Sequence, residues 1–472
     1  MPFSPRQPDE DPETLKAVEA FELMLQGKGS AYFEEEQLEE IIDHYMMKSQ
    51  LKKAEMAIDH AEQTYPYSTG FLVKRASINL MKGDLKQANE LIEKAETIEP
   101  NNPDIYLLKA ELASQNDDFD KVEEYFKKAL DYTDDKNDVC FGMAVIYINA
   151  MRFEKAANVL EKVLENDPEN EHAIYELAMC YHESGKHNEA IRWFNKFLDI
   201  EPYSPFAWFN LGTAYSAKGQ NAKAVEAYDY ALVIDETFAS AWFNKANALY
   251  EQGKYDEALA CFKTVMEIEG KDATTMCNIA NCYHALENLE ESESWYRSTL
   301  EMNPKYADAW FGLGLCADSR NQFDKAAFHY RRALLIDGSN AEYLHAFGDV
   351  NYELNEMQAA LHCYQKVCEL EPENADAWHD QGVTLFGMGQ VEAAIEALLK
   401  GMKILPQQTE FLYRIASFLL ETPGREKDGL FWLEKALLKE PDKIYCLFHF
   451  EPSLKDNLNV AELVKRFERG EG

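Results

Sequence analysis

The sequence predicts an all-α chain, a solenoid of helix–turn–helix units stacked end to end. Three observations predict it. The prolines Pro66, Pro100, Pro168, Pro202, Pro304, Pro372 and Pro406 are separated by 34, 68, 34, 102, 68 and 34 residues, all multiples of 34. Trp208, Trp242, Trp310 and Trp378 follow the same period, at 34, 68 and 68. Small residues recur in that register too, and a fixed period of this length marks a stack of identical supersecondary units.

On this register twelve units start at residues 35, 69, 103, 137, 171, 205, 239, 273, 307, 341, 375 and 409. No insertion interrupts them until the last, which gains one residue around Thr422-Pro423-Gly424 and ends at Pro441. The eighth position is small in Ala76, Ala110, Ala144, Ala178, Gly212, Ala246, Ala280, Gly314, Gly348, Gly382 and Ala416, with Ile42 the exception. The twentieth is small in most units, as in Ala54, Ala190, Ala224 and Ala326. Such positions let two helices approach closely while Leu211, Tyr215 and Tyr228 fill the space around them. Lys82-Gly83-Asp84, Ser184-Gly185-Lys186 and Gln252-Gly253-Lys254 read as the turns between paired helices. The proline closes the second helix of each pair.

This pattern resembles the tetratricopeptide repeat family, and the unit 205–238 carries it most fully in Trp208, Leu211, Gly212, Tyr215, Ala224, Tyr228 and Ala231. It departs where Glu236 stands in place of the usual proline. The resemblance runs from residue 35 to 442 and implies a right-handed superhelical α-solenoid. The fold by itself names no function.

Stacked units leave apolar faces open at both ends, so the ends are expected to be capped. Residues 1–34 read as an acidic tail and a capping helix, with an N-cap at Asp11, proline at Pro12 and a stop at Gly27 and Gly29. Leu15, Val18, Phe21 and Leu25 form its expected apolar stripe. Residues 443–472 read as a degenerate half-repeat and a closing helix, started by a capping box of Asn459 with Glu462. A partner-binding tail is the other reading of that segment.

The chain has 84 acidic and 47 basic side chains, a formal net charge of −37. That balance opposes a broad grip on nucleic-acid phosphates or anionic membranes and favours basic partners; it also keeps an extended solenoid soluble. With 46% apolar and 12% aromatic residues, the acidity does not signal disorder. No apolar run is long enough to span a membrane, and the N-terminus lacks the features of a signal peptide. Nine scattered cysteines make no disulfide framework, and Cys277 and Cys282 lack a second Cys/His pair at ligand spacing. The expectation is a cytoplasmic protein without metal or cofactor.

The resemblance implies that positions 2, 5, 6, 9, 12 and 13 of each first helix line a concave groove. There Asn210, Asn244 and Asn278 fill the sixth position of three consecutive units, and Asn247 and Asn281 the ninth of two. An asparagine amide offers both donors and an acceptor, so such a row can hold the main chain of an extended peptide. The superhelical repeat domain of the eukaryotic O-linked N-acetylglucosamine transferases is similar in having such a row, but here Gly312 and Ala346 interrupt it. Asparagines bonding between neighbouring repeats are the plainer reading. Phe206, Phe209, Phe243, Tyr250 and Phe311, with Tyr175, flank the row, either as anchors for a ligand or as packing between helices.

Toward the C-terminus these positions turn acidic, with Asp308, Asp318, Glu342, Asp349, Glu353, Asp376 and Asp380; Glu36, Glu39, Glu40 and Asp43 form a second cluster in the first unit. From the unit at 103 to that at 375, none of the six positions is Lys or Arg, although histidines 172, 182, 284, 345 and 379 occur there. Such a surface is either merely solvated or receives a basic segment. Lys74 and Arg414 stand alone in distant units, which excludes a clamp of basic residues for carboxylate termini.

Together these features predict a non-catalytic scaffold or adaptor whose groove binds extended or basic segments of other proteins. Its alternatives are an obligate subunit of a larger assembly and an acidic decoy for a nucleic-acid-binding protein. Self-association stays open. The repeats leave no room for a catalytic domain, no phosphate-binding glycine loop is present, and His345 with Asp349 makes a weak acid–base pair without a nucleophile.

Overall fold

The computed structural model describes residues 12–28 and 31–469. The tail before Pro12, the N-cap expected at Asp11 and the stop at Gly29 lie outside them. The described residues form twenty-seven α-helices and two short 3-10 helices, with no strand. From Glu35–Met47 onward the α-helices alternate in the expected register, as in Pro205–Ala217 with Asn221–Ile234 and Ala375–Gly387 with Val391–Ile404.

The chain divides between Gly253 and Lys254 into two compact bodies. The first holds the helix Pro12–Leu25, six pairs from Glu35–Met47 to Asn221–Ile234, and Ala239–Glu251. The second holds Tyr255–Glu269, five pairs from Ala273–Ala285 to Glu426–Lys439, and the terminal helices Ile444–Phe450 and Leu458–Glu468.

The turn inside each pair needs one left-handed residue, because the chain must reverse within three or four residues. Glycine supplies it at Gly83, Gly185, Gly219 and Gly389. Elsewhere Ser49, Asp117, Met151, Glu287, Asn321 and Asn355 are forced to φ values between 55° and 61°. The turn between units is fixed differently. Trp208 Nε1 donates to the Pro202 carbonyl at 2.9 Å, Trp310 to that of Pro304 at 3.1 Å, and Trp378 to that of Pro372 at 3.0 Å. Trp242 does the same to Glu236 at 2.9 Å. A carbonyl is all the indole requires, so the unit survives losing its proline. Proline and tryptophan thus share one period because they meet at one turn.

Packing within a pair depends on the eighth and twenty-fourth positions. A Cβ on Gly212 would lie 2.6 Å from the Tyr228 ring, one on Gly348 2.7 Å from Tyr364, and one on Gly382 3.0 Å from Leu398. The rings of Tyr228, Tyr296, Tyr330 and Tyr364 are at most 2% exposed, and their hydroxyls meet Thr213, Asn281, Asp318 and Asp349 of the first helices.

At the N-terminal end, Phe21 packs on Phe33 and Tyr45 with ring centroids 5.8 and 6.4 Å apart. The buried stripe there is Ala17, Val18 and Phe21, while Leu15 and Leu25 stay exposed. At the other end the last helix starts at Leu458, earlier than the sequence placed it. Asn457 caps it, accepting from the backbone N–H groups of Asn459 and Val460, in place of the capping box expected from Asn459.

Candidate functional site: the face of the first helices

Within each body, first helices touch the first helices of neighbouring units, as Glu171–Glu183 touches Pro205–Ala217 and Ala273–Ala285 touches Ala307–Asp318. Their second, fifth, sixth, ninth, twelfth and thirteenth positions therefore share a face, reached from beneath by the buried phenols.

In the first body, Asn210 Nδ2 donates to the Tyr175 hydroxyl at 2.8 Å. The Tyr228 hydroxyl donates to Thr213 Oγ1 at 3.4 Å and is also hydrogen-bonded by Asn244. Asn247 is exposed. In the second body, the Tyr296 hydroxyl donates to Asn281 Oδ1 at 2.6 Å, and Asn278 is half-buried. Where the asparagine row stops, the Tyr296 ring would lie 2.1 Å from a Cβ on Gly312. Asn210, Asn244 and Asn281 are thus tied into the array through tyrosines. Asn210 spends one N–H on Tyr175 and keeps a carbonyl and a second N–H.

The aromatic residues divide. Phe206 and Phe209 pack on Phe238 in the following turn, with centroids 5.2 and 5.0 Å apart, and both remain half-buried, as do Phe243 and Tyr250. Phe311 is 8% exposed, its ring stacked on Tyr343 at 4.6 Å and against Tyr330 at 5.3 Å. It packs between helices.

Some of the carboxylates are held by phenols. Tyr343 donates to Asp308, and Tyr364 to Asp349 Oδ1 at 2.8 Å. Asp376 is exposed and Asp380 half-buried. His345 stands between two of them: Nδ1 lies 3.3 Å from Asp349 Oδ2 and Nε2 3.1 Å from Asp380 Oδ2. Asp349 and then Asp380 raise its pKa to about 10, so the imidazolium ties the unit at 341 to that at 375. Among the described residues these three could hold a metal ion, and the proton on His345 competes with any such ion.

In the first body, Glu111 and Glu176 are half-buried, and no ion pair reaches either among the described residues. Burial alone raises both, Glu176 to about 7. Burial also lowers His182, whose ring lies 5.4 Å from that of His187. Lys74 is satisfied by Asp43, with Nζ to Oδ1 at 2.6 Å. The cysteines are buried, and burial pushes the thiols of Cys277 and Cys282 up to about 12, far from a nucleophile's range.

One participant was missed from sequence. Phe450, in the C-terminal segment, lies 4.4 Å from the Arg414 guanidinium and 5.3 Å from the His379 ring. No spacing pointed to it, because the 34-residue register fades after Pro441.

Family models described as tetratricopeptide repeat match residues 79–139, 147–208, 193–226, 237–305, 271–339 and 375–408. A model described as TPR repeat matches 213–253 and 348–389. No curated protein matches the sequence. Among solved structures, the chain is similar to one of the APC/C hetero-tetramer Cut9-Hcn1, at 15% identity and a TM-score of 0.43 over 85% of this chain and 92% of that one. It is also similar to MamA protein, at 24% identity and a TM-score of 0.34 over 36% of this chain and 93% of that one.

Proposed function

The chain belongs to the tetratricopeptide repeat family, and on that premise we propose that it is a non-catalytic, cytoplasmic scaffold or adaptor that holds extended, basic segments of other proteins along the groove face of its first helices. Repeats of this family bind proteins, and among the described residues no helix is long and apolar enough to cross a membrane.

One observation supports the basic partner above the others. Glu111 and Glu176 are half-buried carboxylates raised by burial with no cation beside them among the described residues, and none of the six groove positions in the units from 103 to 375 is Lys or Arg. A buried charge without a counter-ion is unfavourable, and a Lys or Arg from a partner relieves it. The asparagines suit the main chain of such a segment, since Asn210 keeps hydrogen-bonding groups to spare.

Photo-crosslinking amino acids test the reading. They are placed at Phe206 and Asp376 on the first-helix face and, separately, at the exposed Val233 and Leu335 of second helices. The expected result is that the first pair traps a shared basic protein and the second pair does not. Crosslinks from Val233 and Leu335 alone would overturn it and favour the obligate-subunit reading.

A further inference from the structure

A stacked array brings each unit against its immediate neighbours only. The short helix Ile444–Phe450 obeys this through most of its length: it packs on Glu410–Glu421 of the last unit, with Cys446 and Leu447 buried. Phe450 does not. Its ring lies over the Arg414 guanidinium at 4.4 Å and reaches His379, one unit further back, with centroids 5.3 Å apart and planes inclined at 37°. Arg414 and His379 hold the sixth and fifth positions of their units, so the ring rests on the face assigned to the partner.

The residues it touches are built to receive a ring. Arg414 meets two aromatic rings, Phe450 at 4.4 Å and Phe418 at 5.2 Å, and no ion pair reaches it among the described residues. Its Nε is buried with no hydrogen-bond partner while Phe450 is in place. A main-chain carbonyl of an incoming segment, beside its aromatic side chain, can satisfy that donor, which the Phe450 ring leaves unmet. Phe450 is half-buried at the edge of the C-terminal core. It ends its helix, Glu451 is extended at φ −142° and ψ 94°, and Leu447 and Leu454 anchor the segment on either side. Displacing the slot's occupant therefore requires the movement of one half-buried side chain at the end of a short helix.

We propose that His379 and Arg414 form an aromatic-binding slot at the C-terminal end of the first-helix face, filled by Phe450 in the free protein, and that a partner segment docks by placing its own aromatic side chain there. The proposal rests on the reading that this face holds a partner, and it names the side chain that partner presents.

The probe is the pentapeptide Leu-Phe-His-Phe-Glu, the sequence of residues 447–451, with 4-fluorophenylalanine at its fourth position. Its fluorine NMR signal is followed on titration with the full-length protein. Phe450→Ala and Phe450→Leu should bind it at least about fivefold more tightly than the wild type, the margin a cation–π contact supplies. Adding Arg414→Ala to either should remove the gain. The His379 ring protons give a second reading: they should move on Phe450→Leu, which keeps an apolar cap, and move back when the probe is added. Equal binding by wild type and both variants, or binding by none, would overturn the proposal. If the probe fails while crosslinkers at Phe206 and Asp376 still trap a protein, the slot alone falls; if both fail, so does the reading of the face.

Discussion

The ring of Tyr330 occupies the space that a side chain on Gly314 would need: a Cβ there would lie 2.2 Å from the ring's Cε1 and 2.4 Å from its Cδ1. Tyr330 is fully buried, and its hydroxyl lies 3.5 Å from Asp318 Oδ2 on the first-helix face. One glycine therefore lets a core residue support the face that is proposed to bind.

Gly314→Ala is expected to lower stability by about 1–3 kcal/mol, the usual effect of overpacking a tight core. On a Tyr330→Leu background the added loss should fall by more than half, since the shorter side chain can yield. Thermal unfolding of the four proteins in this cycle measures the coupling, and additive losses would count against the contact.

Glu287 holds φ at 59° in the turn of its unit, where other units use glycine. Glu287→Gly should stabilise the protein by about 0.5–1 kcal/mol, the relief of a left-handed side chain less glycine's extra freedom when unfolded. Met151→Gly, at φ 56°, should behave alike. A lower midpoint of thermal unfolding for both would contradict this.

Burial raises Glu176 from 4.5 to about 7, so the folded state holds its proton more tightly than the unfolded state does. Stability is then lost as pH rises from about 4.5 through 7. Glu176→Gln should stabilise by about 1–3 kcal/mol at pH 8, and the difference from wild type should vanish towards pH 4.5. Melting curves across that range check the sign.

His345 has the opposite dependence. Its pKa is raised from 6.5 to about 10 by Asp349 and Asp380, so its contribution is complete below about 6.5 and lost as pH rises through 10. His345→Gln should cost about 1–3 kcal/mol at pH 6, with the gap closing near pH 10.5. A gap that stays constant would mean that the imidazole acts through packing alone.

The fold was legible because each unit repeats the same contacts, so Trp208 with Pro202 and Gly212 with Tyr228 leave marks 34 residues apart in the sequence. The site was less so. Sequence placed Asn210 and Phe311 at equivalent-looking groove positions, yet the first keeps spare hydrogen-bonding groups while the second is buried against Tyr343. That difference arises from how each meets a tyrosine of a neighbouring unit, Tyr175 by a hydrogen bond and Tyr343 by stacking, which no spacing records. Phe450 escaped altogether, because its contacts with Arg414 and His379 join segments that share no periodicity.

Partners are proposed to lie along the first helices. Amide hydrogen exchange tests this most directly, comparing the free protein with its complex with a partner recovered by crosslinking. Added protection is expected in Glu171–Glu183, Pro205–Ala217 and Ala375–Gly387. Protection confined to second helices such as Asn221–Ile234 and Phe323–Ile336 would contradict the account.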